Sequence, residues 1–112
     1  MAEALASKHC VPCEGGVPPL TSEQISTLLM QVDGWTVLDA KKLTKTYAFP
    51  DFAQSLAFVN RAGAIAEAEG HHPDLFLAWG KVGVEVWTHA IGGLSENDFI
   101  LAAKLDAALP AR

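Results

Sequence analysis

Leu75-Phe76-Leu77-Ala78-Trp79-Gly80-Lys81-Val82-Gly83-Val84-Glu85-Val86-Trp87-Thr88-His89 is the stretch on which the fold turns. Val82, Val84, Val86 and Thr88 fall on one side of an extended backbone, and Gly83, Glu85, Trp87 and His89 on the other. That two-residue period belongs to a strand with one face in a core. Residues 75–79 supply an antiparallel partner, and Gly80-Lys81 reads as the two-residue turn of a hairpin. In that register Trp79 opposes Val82, Leu75 opposes Val86, and residue 72 comes opposite His89.

Upstream, Asp51 is a good N-cap for a long helix that runs through Glu69 and is closed by Gly70. Phe52, Leu56, Val59, Gly63 and Ala66 share one face of it, with Ile65 beside them. Before it, residues 35–38 and the alternating residues 43–49 read as two strands around a polar turn, the second stopped by Pro50. A first helix starts at the capping box Thr21-x-x-Gln24, carries Ile25, Leu28, Leu29 and Val32 as its stripe, and ends at Gly34. A last helix starts at Ser95-x-x-Asp98, and its broad apolar surface (Phe99, Leu101, Ala102, Ala103, Leu105) suggests contact with another subunit. The order α-β-β-α-β-β-α predicts an α+β fold: an antiparallel four-stranded sheet with helices packed on one face.

The chain has 112 residues, 50% of them apolar and 19% charged, enough for one domain with a real core. The expected division is a flexible N-terminal arm over residues 1–20 and a single domain over 21–112. A net charge of −5 with scattered basic residues excludes a partner held through its phosphate backbone. No run approaches the roughly 20 apolar residues that cross a bilayer. The leader lacks the basic start and apolar run of a signal peptide, which makes the cytoplasm the default location. Both cysteines, Cys10 and Cys13, lie in that Gly/Pro-rich leader. A lone Cys-x-x-Cys is half a zinc site or a redox pair, and the plainer reading is a loosely attached arm with two reduced thiols.

Three of the four histidines cluster in Glu67-x-x-x-His71-His72-Pro73 and Thr88-His89. Imidazoles near neutrality transfer protons and bind metals. Pro73 forces His72 towards an extended backbone, so His71 and His72 face different ways and do different work. Glu67 is placed to fix an imidazole tautomer or accept N–H groups of a heterocycle, and Trp35, Trp79 and Trp87 are candidate walls for a flat ring. Two alternatives stay open at this level: histidines that merely cap a helix C-terminus, and a three-ligand metal set of Glu67, His71 and His89, although no H-E-x-x-H pair is present.

These residues resemble the signature of the pterin-4a-carbinolamine dehydratase family: an acid, three residues, His-His-Pro, five residues, an aromatic, nine residues, His, then an Asp beyond a short loop. The chain reads Glu67, His71-His72-Pro73, Trp79, His89 and Asp98. Gly34-Trp35 and Gly93-Leu94-Ser95-Glu96 are also similar to the family. The resemblance implies dehydration of 4a-hydroxytetrahydropterin to quinonoid dihydropterin, which recycles the pterin cofactor of aromatic amino-acid hydroxylases. It implies a pterin site lined by His71, His72 and His89, with His71 and His89 as acid and base and His72 mainly a binding contact. Glu67, Trp35, Pro73 and Asp98 complete the substrate contacts. It implies no metal and no organic cofactor, a hydroxylase as a possible partner, and homodimers or homotetramers. Gly70, Leu75 and Asn97 depart from animal members, which carry an acid, a Trp and an Arg there. A binding or dimerisation module, or a role with a larger pterin such as molybdopterin, is the alternative reading.

Overall fold

The structure, a computed structural model, describes residues 5–10 and 18–109. Its helices are α1 (Ser22–Leu29), α2 (Phe52–Glu69) and α3 (Glu96–Ala107). Its strands are β1 (Thr36–Leu38), β2 (Lys42–Ala48), β3 (Asp74–Ala78) and β4 (Lys81–Val86). All strand pairs are antiparallel, in the order β1-β2-β4-β3. This is the α+β architecture that the hydrophobic periods predict.

The local signals hold where they are chemically specific. Thr21 and Gln24 cap α1 reciprocally: the Gln24 N–H donates to Thr21 Oγ1 at 3.2 Å, and the Thr21 N–H to Gln24 Oε1 at 2.8 Å. Asp51 Oδ1 accepts the Gln54 N–H at 2.8 Å. Gly70, at φ 65°, ends α2 in the left-handed conformation, and the His71 N–H reaches back to Ala66 O at 3.1 Å. That Schellman-type bond settles where the chain leaves the helix. Val82, Val84 and Val86 of β4 are buried as the alternation requires, against Phe58, Phe99, Leu101 and Leu105.

Several expectations are corrected. The first helix ends at Leu29, and Gly34 belongs instead to the turn into β1, at φ 76°, with the Lys45 side chain against it. The hairpin register is displaced: Ala78 pairs with Lys81, Leu77 with Val82 and Leu75 with Val84, so the turn is Trp79-Gly80. The cause is the pairing of β4 with β2, continued just past its end where the Phe49 N–H donates to Gly80 O at 2.8 Å. β4 ends at Val86, and His89 opens a single 3-10 turn (His89–Ile91). On α2 the buried stripe is Ser55, Phe58, Ala62 and Ala66, because Phe58 packs on Tyr47 and Phe49. Phe52 and Leu56 therefore remain exposed.

The apolar surface of α3 is already covered within the chain. Phe99, Leu101, Ala102 and Leu105 are buried, and Leu5, only 4% exposed, joins the same core. Residues 5–7 form a 3-10 turn that packs on α3. The stretch 5–10, expected as part of a loose arm, is thus docked on the domain. Cys13 and the residues after it up to Val17 lie outside the described residues.

Candidate active site

His71, His72 and His89 come together at one end of the sheet. With Gly70, Thr88 and Ala90 they line an open cleft of about 280 Å³. The end of α2 supplies one wall. The 3-10 turn after β4, pinned by the Thr88–Gly93 bridge, supplies the other.

His71 is the most constrained of the three. Its Nε2 lies 2.6 Å from Asp98 Oδ1, and its side chain is 13% exposed. Asp98, in the first turn of α3, is fully buried. Its other oxygen, Oδ2, accepts from Thr88 Oγ1 at 2.9 Å and from the Ser95 N–H at 2.9 Å. The Thr88 and Ser95 hydroxyls also meet at 2.7 Å. An ionised carboxylate can only accept, so Nε2 of His71 carries a hydrogen, and in the neutral ring Nδ1 is then the basic nitrogen. A buried carboxylate that holds an imidazole in one tautomer is the orienting half of a general-base pair.

His72 points elsewhere, as its place before Pro73 predicts. Its Nε2 is 2.8 Å from Glu67 Oε1, in an exposed pair. His89 stacks on Trp87 with ring centroids 4.1 Å apart, and the Lys42 ammonium sits 4.2 Å from the Trp87 ring. The imidazole is thus held flat by an aromatic face while its edge meets solvent.

The remaining candidates separate. Glu67 meets the cleft residues through His72, and neither it nor Pro73 lines the cleft. Asp98 acts behind His71 and does not line the cleft. Trp35 is buried at the other end of α3, where its Nε1 donates to Asp106 Oδ2 at 3.1 Å. Trp79 is exposed at the tip of the hairpin. Sequence reasoning missed Thr88 and Ser95 as supports for Asp98. The capping box Ser95-x-x-Asp98 carried half of that signal, since it commits one carboxylate oxygen to a backbone N–H. Among the described residues, no group of three or more His, Cys, Asp or Glu side chains is arranged to hold a metal ion, and no helix is long and apolar enough to cross a membrane.

A sequence profile of the family described as Pterin 4 alpha carbinolamine dehydratase matches residues 18–108. Two curated relatives are provisionally named as pterin-4-alpha-carbinolamine dehydratases. One, from Rickettsia bellii, is 53% identical over 104 residues, 92% of each chain. The other, from Rubrobacter xylanophilus, is 49% identical over 102 residues, 91% of this chain and 95% of its own. A crystal structure of a transcriptional coactivator/pterin dehydratase from Brucella melitensis aligns with TM-score 0.75 and 33% identity, covering 80% of this chain and 96% of that one. A pterin dehydratase-like protein identified as a RuBisCO assembly factor in the alpha-carboxysome aligns with TM-score 0.58 and 28% identity, covering 66% and 87%.

Proposed function

Because the chain belongs to the pterin-4α-carbinolamine dehydratase family, we propose that its histidine cleft converts 4a-hydroxytetrahydropterin to quinonoid dihydropterin and water. The C4a–O bond breaks, the departing hydroxide takes up a proton, and a ring N–H gives one up. The reaction is redox-neutral and needs one acid and one base. His71 is the base in this scheme and His89 the acid. His72 is chiefly a binding contact, with Glu67 and Pro73 beside it, and Asp98 acts through His71. Trp35, packed on Asp106, contributes from the fold and not from the cleft. The observation that carries the reading is the 2.6 Å contact from His71 Nε2 to a fully buried carboxylate, which makes Nδ1 the basic nitrogen of the neutral ring in a residue that shares its cleft with His89.

On this reading the protein recycles, in the cytoplasm, the pterin cofactor of an aromatic amino-acid hydroxylase. The decisive experiment follows quinonoid product formed from 4a-hydroxytetrahydropterin that a hydroxylase generates in situ. Native protein and His89→Ala are compared, both with chelator. Acceleration by the native protein alone is expected. Equal acceleration by a folded His89→Ala protein overturns the acid–base scheme.

A second reading, as a self-associating or protein-binding module, is favoured by the exposed Phe52 and Leu56 on α2 and Phe76 on the sheet face that no helix covers. A homodimer or homotetramer fits those surfaces. Light scattering tests it: a monomer at all concentrations rules self-association out.

A further inference from the structure

Glu69 is a residue that local physics disfavours. It is the last residue of α2, where a carboxylate opposes the helix dipole, and its side chain is only 8% exposed. Burying a charge there costs free energy unless partners are supplied, and here the docked leader supplies them. Glu69 Oε1 accepts the Cys10 N–H at 2.7 Å, and Oε2 lies 3.2 Å from His9 Nδ1 and 3.6 Å from Lys104 Nζ. The Cys10 N–H holds the Glu69 carboxyl below its ordinary range against the opposing effect of burial, with His9 and Lys104 adding to it.

The leader also grips α3. Cys10 Sγ donates to Asn97 O at 3.5 Å, Lys8 pairs with Glu96 at 2.9 Å, and Lys104 Nζ donates to Ala6 O at 3.0 Å. Leu5 anchors the strap in the core. The two ends it joins are those that meet at the site. Glu69 is separated from His71 by Gly70 alone, and Asn97 is the neighbour of Asp98.

We propose that Glu69 is a positioning residue for the His71–Asp98 pair, and that residues 5–10 are the strap through which it acts. The inference rests on the assignment of the cleft as the dehydratase site. The last turn of a helix frays readily. Fraying at Glu69 moves His71, and the contact with Asp98 does not survive a displacement of about 1 Å, for which rate losses of roughly 10²-fold are typical. Cys10 thereby has a role that needs neither metal nor disulfide. Its backbone ties α2, and its thiol touches α3.

The test uses Glu69→Ala and Glu69→Gln in the full chain. Glutamine keeps an acceptor for the Cys10 N–H and alanine does not. Glu69→Ala is expected to lower kcat by roughly ten- to a hundredfold with KM little changed, and Glu69→Gln to keep most of the rate. The second readout is independent of turnover. The proton on His71 Nε2, seen by NMR in isotope-labelled protein, is expected in the native and glutamine proteins and lost to exchange with alanine. Peptide mapping after alkylation is expected to show Cys10 labelled faster in the alanine protein. An alanine variant with labelled Cys10 but a native His71 resonance overturns the proposal. If native protein shows no dehydratase turnover, the His71 resonance alone decides the positioning, and only the reaction assignment fails. If Glu69→Ala does not fold, Cys10→Pro removes the same N–H donor to Glu69 without altering α2; loss of its His71 resonance is then the expected result, and a native His71 resonance overturns the proposal.

Discussion

α3 carries two carboxylates that hold three hydrogen-bond donors each, and only one of them holds an imidazole at the edge of a cleft. Asp98, near its N-terminus, takes bonds from His71, Thr88 and the Ser95 backbone. Asp106, in its last turn, takes them from Trp35, Lys45 and Tyr47. Asp106 is the less buried of the two, and burial together with Asp106 pushes the Tyr47 hydroxyl well above its usual range. The difference lies in the partners. Indole, ammonium and phenol are donors with nothing left to exchange near neutrality. Imidazole has a second nitrogen, and His71 borders a cleft. A satisfied carboxylate therefore marks a site only when what it holds still has chemistry to spare.

The largest expected effect is at the His71–Asp98 pair. His71→Ala should lower kcat by about 10²- to 10⁴-fold. Asp98→Asn, which no longer fixes the tautomer, should lower it by at least about tenfold. Steady-state rates on folded variants check both, and a native rate in Asp98→Asn would break the distinction drawn above. Asp106→Ala should do the opposite. It strands three donors, costs about 3 kcal/mol in urea unfolding, and leaves kcat per folded molecule unchanged.

A pH series sharpens the comparison from the leader's side. The Glu69 carboxyl sits below its unfolded value near 4.5, so it stabilises the docked leader above that pH. The stabilisation is lost as pH falls through the lowered value. Cys10 is pushed by burial, then by Glu69, from 9.0 to about 12. The docked thiol therefore stabilises below 9.0, and that contribution fades as pH climbs towards about 12. Hydrogen exchange at the Cys10 amide should show protection at neutral pH and loss at both extremes. The smallest effect is at Ala40, which sits at φ 56° in the turn between β1 and β2. Ala40→Gly should stabilise by about 1 kcal/mol in the same unfolding assay, without changing either carboxylate's partners.

Much of this was legible in the sequence, for reasons that differ by residue. Thr21, Asp51 and Gly70 act on their own helix ends, so their signals survive tertiary context. The alternation in β4 survives because one face meets the core. The hairpin register does not, since β2 and the Phe49 that follows it set it. The buried stripe of α2 was misread because apolar residues surround that helix, and only its aromatic neighbours choose between faces. The histidine cluster was visible as composition, and the separation of His71 from His72 followed from Pro73, while the stack of His89 on Trp87 was not visible. Asp98 reads as a helix cap or as a site residue from sequence, and its oxygens divide in the structure: one accepts the Ser95 N–H and the other meets His71.

The paired carboxylates also bear on how the chain can vary in length. Eight residues of helix advance about 12 Å and leave the two side chains roughly 80° apart around the axis. One inserted residue would turn one carboxylate by about 100° relative to the other. Either Asp98 would lose His71 or Asp106 would lose Lys45 and Tyr47. The interior of α3 should thus accept changes of residue type but no change of length, which confines insertions and deletions to the turns between the strands and the helices.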